Sequence, residues 1–295
     1  MTKNFTPKKE GAEKRPRLSP EEWGQMKQKE RELVFELVNK TALEIVSDPA
    51  KFQSYLDTQS RMNRYSAANA LLIYAQKPEA TQLKSFGDWG QENVRVKKGE
   101  KHFSILEPNE YTKADGSTGV SYDVKKVFDV SQTTGRQNPA PSVNRDPQKL
   151  VAIMLDTAPV NIAASDEMPF PNMGAFYNNE KKTLYVKKDI GDSVALFQCV
   201  AQELGHAQLA INSEAYSRNE SGFNAVCIGY MLCKKFGVDT RNFTLGELPD
   251  KLRDGDAKTI REELSKTRTA MSEVYSRVSD ELYRQKQERT KDYER

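Results

Sequence analysis

A chain of 295 residues carrying 45 Lys and Arg against 42 Asp and Glu is long enough for two cores and too evenly charged to hold a polyanion by net charge alone. Residues 1 to 145 hold 24 basic and 19 acidic side chains, the remainder 21 and 23, so any nucleic-acid surface is expected in the first half, as a focused patch. No apolar run reaches the roughly twenty residues that a membrane helix needs, which excludes that class of protein.

The first seventeen residues or so mix Lys3, Lys8, Lys9, Lys14, Arg15 and Arg17 with Glu10 and Glu13 and have no apolar signal core. Residues 1–18 read as a flexible basic arm, with no export implied and a cytoplasmic location expected. Ser19-Pro20-Glu21-Glu22 is a helix start, serine as cap and proline in the first turn. Leu33, Val34, Phe35, Leu37, Val38, Leu43, Ile45 and Val46 continue it at helical spacing. Shorter helices are predicted near 50–60 and 65–76, then strands near 103–106 and 121–130 joined by a turn at Lys113-Ala114-Asp115-Gly116. Together they make an α+β domain over residues 19–130.

Pro139, Pro141 and Pro147 among Ser, Thr, Asn and Gln mark residues 131–147 as a linker. A second domain over 148–295 opens with a helix at 148–155. Strands follow at 160–164, 174–177 and 183–186, the last two forming a hairpin through 178–181. Ser193 to Ile211 is a largely apolar helix, and the 3–4 spacing of Ile260, Leu264, Met271, Val274, Val278 and Leu282 describes a long amphipathic helix lying against this domain. A coiled-coil partner is the rival reading of that stripe, and the chain after Arg284 is expected to be solvated. Three cysteines, Cys199, Cys227 and Cys233, with no C-x-x-C pair, suit reduced core thiols and a reducing compartment.

Inside the apolar helix stands Gln202-Glu203-Leu204-Gly205-His206. It reads as the zinc-peptidase signature H-E-x-x-H with the first histidine replaced by glutamine. In that signature two histidines one turn apart bind the metal and the glutamate activates its water. Here Glu203 and His206 remain and Gln202 offers only an uncharged carboxamide. Taken by itself, the pair also suits two polar positions on an ordinary helix.

Two further stretches carry a family resemblance. Tyr65 to Ile73, Pro78 to Thr81, Phe86, Trp89, Val96 to Lys101 and Ile105 to Pro108 resemble, in order, the N-terminal single-stranded-DNA-binding domain of the ArdC antirestriction proteins. Ala67 and His102 depart from the pattern, where relatives carry an aromatic and a glycine. Ala225 to Tyr230, Cys233 and Phe236 to Thr240 resemble the second ligand helix of the zincin-like domain in ArdC and LtrC-like proteins of conjugative elements. That resemblance places the family's third ligand, a glutamate, at Val226. It implies two protein ligands missing of three, Gln202 and Val226, with Glu203 a vestigial base, no zinc expected, and rescue only through Glu214 or Glu220.

Single-strand binding requires cations that follow phosphates and aromatics on which bases stack. Arg95, Lys97, Lys98 and Lys101 are the candidate cations, Tyr65, Phe86 and Trp89 the candidate stackers, and Asn69 shares a helical face with Tyr65. The same residues equally suit a solvated hairpin and a filled core. The implied function is single-stranded-DNA binding on a mobile element, for antirestriction or transfer protection, with a degenerate metallopeptidase domain. The alternatives are an active zinc peptidase with a relocated carboxylate, cutting a repressor or host defence protein, and a non-enzymatic inhibitor gripping a host defence or conjugation protein through its edge strand.

Overall fold

The computed structural model describes residues 18–136, 146–169, 173–188, 191–241 and 243–293. The basic arm up to residue 17 and linker positions 137–145 lie outside the described residues.

Helix α1 runs Pro20–Ile45 from a reciprocal cap, in which the Ser19 hydroxyl accepts the Glu22 N–H and the Glu22 carboxylate accepts the Ser19 N–H. Only Val34, Val38, Thr41, Ala42 and Ile45 are buried along it, so one stripe of its second half meets the core. Leu33 and Leu43, expected in that core, face solvent because they sit off this stripe. Helices α2 (Pro49–Arg61) and α3 (Ala67–Gln76) start from the caps Asp48 and Ser66 and pack against α1 and each other. Strand β1 (Leu83–Lys84) and helix α4 (Phe86–Gln91) follow, with Ser85 capping α4.

Strands β2 (Phe103–Thr112) and β3 (Thr118–Asp129) form a long hairpin through the predicted turn, and the sheet order is β1-β3-β2. β2 is therefore an edge. Its backbone is closed by two amides of α3: Asn69 bonds the N–H and C=O of Leu106 at 2.7 and 2.8 Å, and Gln76 those of Ser104 at 3.0 and 2.9 Å. Two side chains seven residues apart on one helix face thus replace a neighbouring strand.

Helix α5 (Pro147–Asp156) leads to a second sheet of β4 (Asn161–Ser165), β5 (Ala175–Asn178) and β6 (Thr183–Lys187). β4 pairs parallel and β5 antiparallel with the central β6, leaving β5 an edge. Helices α6 (Ser193–Ile211) and α7 (Arg218–Phe236) cross at two glycines. A Cβ on Gly205 would lie 3.1 Å from Ile228, and one on Gly229 would lie 3.3 Å from the Gln202 backbone. After the short α8 (Asp250–Arg253), α9 (Ala257–Tyr293) packs on α6 and α7 as expected, and also on α1 and α3. One buried cluster runs continuously from α1–α3 to α9, and a smaller one of Met62, Ile73, Ala80, Phe103, Ile105 and Val127 lies beside the first sheet.

Cys227 and Cys233 are buried and Cys199 half-buried, all as free thiols, and burial pushes the Cys233 thiol up to about 12. Among the described residues no helix is long and apolar enough to cross a membrane.

Candidate functional site

The tight α6–α7 crossing fixes what surrounds Glu203 and His206. Both are 2 % exposed, deep on the apolar face of α6. A buried carboxylate must find donors, and Glu203 finds three. Its Oε2 accepts the Tyr177 backbone N–H at 2.7 Å and Arg218 Nη1 at 3.0 Å, and its Oε1 accepts Arg218 Nη2 at 2.6 Å. Arg218, the first residue of α7, stacks its guanidinium 4.5 Å from the centre of the Phe176 ring and donates to the Tyr177 carbonyl at 3.3 Å. The free N–H and C=O of edge strand β5 at Tyr177 are thereby both taken by side chains, as those of β2 are by α3.

His206 Nδ1 lies 3.0 Å from the Tyr216 hydroxyl. Burial, reinforced by the Arg218 charge, pulls the imidazole down to about 3, so it is neutral in the folded chain. Burial likewise holds the Tyr216 hydroxyl up at about 12, against the opposing pull of Arg218. The result is a neutral histidine beside a carboxylate whose charge is matched by a fixed arginine.

That donor set does not suit a divalent cation. Gln202 is half-buried with its backbone under Gly229, Val226 offers only methyl groups, and both Glu214 and Glu220 stand exposed at the surface. Among the described residues no group of three or more His, Cys, Asp or Glu side chains comes together. Arg218 supplies at Glu203 the positive charge that a metal supplies in H-E-x-x-H sites. Nothing in the spacing of Arg218 from the motif signals this role, because the contact spans fifteen residues and depends on how α7 enters.

The candidate DNA-binding residues are dispersed. Trp89 is 2 % exposed and its Nε1 donates to the Phe128 carbonyl, so it fills the core instead of presenting a face to bases. Asn69 is buried and spent on the β2 edge. Arg95, Lys97, Lys98 and Lys101 are all exposed on the turn around Gly99, whose φ of 90° only glycine adopts readily. The Lys97 ammonium reaches the Ser131 carbonyl at 2.9 Å. Phe86 is 68 % exposed and stands edge-on to Phe128, 6.3 Å from which lies the ring of His102. This aromatic group beside Lys101 was not legible in the sequence, since Phe128 enters it through the pairing of β3 with β1. Tyr65 is half-buried and lines a separate cleft.

The fold defined so far is α+β, with a helix-clamped antiparallel sheet in the first half and a mixed sheet under two crossing helices in the second. Residues 33–140 match the family model for the N-terminal domain of anti-restriction factor ArdC, so this part of the chain is similar to that domain. The crystal structure of antirestriction ArdC protein from the R388 plasmid in its Mn(II)-bound form aligns with a TM-score of 0.57 at 15 % identity, covering 82 % of this chain and 98 % of that one. The metal-free form aligns with a TM-score of 0.49 at 16 % identity over 73 % and 86 %. The Mn(II)-bound structure shares the fold. No curated protein sequence matches.

Proposed function

We propose that this chain binds single-stranded DNA through its first unit, residues 19–130, as an antirestriction or transfer-protection factor of a mobile element acting in the cytoplasm. The second unit, 148–295, serves as a metallopeptidase-like scaffold that no longer performs hydrolysis. The observation that carries the first half is the match of residues 33–140 to the ArdC N-terminal domain, together with the surface that the matched segment exposes. Lys97, Lys98 and Lys101 are exposed, and the same matched segment presents the exposed Phe86 edge-on to Phe128, whose ring also meets His102. These are the two kinds of group, cations and flat faces, that sequence-tolerant single-strand binding uses. The second half is supported by the Glu203–Arg218 pair: a general base must take a proton from water, and this carboxylate has its lone pairs on a guanidinium and a peptide N–H. The Tyr177 edge is occupied by the same two side chains, which also removes it as a strand to which a peptide could add.

The test is a fluorescence-anisotropy titration of the full chain with a mixed-sequence oligonucleotide. The wild type binds more weakly as salt rises. Lys97→Ala, Lys98→Ala and Lys101→Ala combined weaken binding at least tenfold with an unchanged melting curve. Unchanged affinity in that variant refutes the proposed surface. A conjugation assay into a restricting host, with and without the gene, reads the biological half.

A further inference from the structure

A cleft of about 850 Å³ opens between the first sheet, the start of α3 and the first turns of α9, with Tyr65 and Asn69 in its lining. Six cations line it, Arg64, Lys84, Lys125, Lys258, Arg261 and Arg268, against the carboxylates of Asp88, Glu107 and Glu262. The lysines are already neutralised: Lys125 pairs with Glu107 at 2.7 Å, Lys258 with Glu262 at 4.0 Å, and Lys84 with Glu92. Asp88 is spent on the cap of α4. The three arginines have no carboxylate partner among the described residues.

Arg268 is held in place by its Nη2, which donates to the Asn63 carbonyl at 2.8 Å, while its Nε is buried without an acceptor. A buried donor left unmet in a cationic cleft points to an acceptor brought by a ligand. Between the arginines lie Tyr65, Tyr122 and Phe35, the last two ring-to-ring at 6.0 Å. Tyr122 is 41 % exposed and free to take a flat partner.

We propose that this cleft is a second stretch of the single-stranded-DNA path, with Arg64, Arg261 and Arg268 on phosphates and Tyr65 and Tyr122 against bases. The inference rests on the DNA-binding reading above and adds α9, from the other end of the sequence, as one wall of the binding surface. Unpaired arginines suit phosphate by their planar forks, the aromatics suit unstacked bases, and the volume suits a short unpaired segment. Because α9 also packs on α6 and α7, a strand in the cleft touches both halves of the chain at once.

Full-length Arg64→Ala/Arg261→Ala separates this inference from the broader one, because neither side chain supports the core. Salt-dependent anisotropy with a mixed single-stranded oligonucleotide is read for this variant, the wild type and the triple lysine variant. The arginine variant is expected to bind at least tenfold more weakly, with a log–log salt slope shallower by about 0.7 for each phosphate no longer neutralised. Arg64→Glu/Arg261→Glu, at the same melting temperature, abolishes binding. If the lysine variant loses affinity while both arginine variants keep wild-type affinity and slope, the cleft is refuted and the turn surface stands. Absence of wild-type binding refutes both, and a duplex held as tightly as the single strand refutes the cleft.

Discussion

Replacing Arg218 by alanine removes the only charged partner, among the described residues, of a carboxylate that is 2 % exposed. Three hydrogen bonds to Glu203 become one, the Tyr177 N–H, and no guanidinium remains to stack on Phe176. Breaking a buried pair by deleting one partner costs about 3–5 kcal/mol, because the remaining charge stays desolvated. The Arg218 side chain is 31 % exposed, so water enters the vacated space and the lower end, about 3 kcal/mol, applies. For a chain of this size that lowers the melting temperature by roughly 6–12 °C. The control is Glu203→Gln, a neutral amide that still meets Tyr177. It is expected to cost about 1–2 kcal/mol alone and to restore part of the stability when added to Arg218→Ala, giving a coupling of about 2 kcal/mol in a urea-denaturation cycle. An Arg218→Ala protein within about 0.5 kcal/mol of wild type, or strictly additive variants, would show that the arginine is not the counter-charge of this site.

Neutral burial of His206 makes stability pH-dependent: the unfolded chain takes up the proton near pH 6.5 and the folded one only near 3, so stability is complete above 6.5 and falls as pH drops through that window. The loss at pH 4 is about 3 kcal/mol, is absent in His206→Gln, and is contradicted by a His206 imidazole NMR signal, assigned by its loss in His206→Gln, that titrates near 6 in the native protein. Purified wild-type protein should hold far less than one zinc per chain, and Gln202→His with Val226→Glu should bind zinc better once Arg218→Ala removes the competing cation; elemental analysis decides, and a stoichiometric wild-type zinc that disappears in His206→Ala would overturn the reading. Trp89→Ala should destabilise the chain by about 3–5 kcal/mol, whereas Phe86→Ala should leave the melting curve intact and weaken DNA binding by about 1–3 kcal/mol. The reverse pattern would return Trp89 to the surface and Phe86 to the core.

The local signals carried far along this chain. Ser19, Asp48, Ser66 and Asp192 cap the helices they precede, because an N-cap is settled within four residues, and the hairpin turn at 113–116 and the Ser193–Ile211 helix follow the pattern of their own residues. The Q-E-L-G-H motif likewise put Glu203 and His206 together on one buried helix from its own spacing. What the sequence could not disclose were partners brought together across the fold. Asn69 reads as a polar residue on a helix and proves to be one of two amides that finish a sheet edge, and Trp89 reads as a stacker until β3 closes over it. Arg218 is one cation among many in the sequence. Only the crossing of α6 and α7 at Gly205 and Gly229 sets its guanidinium against Glu203, and only the return of α9 onto α1 and α3 gathers three arginines without a carboxylate partner among the described residues into one cleft. Caps and periodicity are decided by neighbours a few bonds away, whereas the partner of a buried charge is decided by which helices share a core.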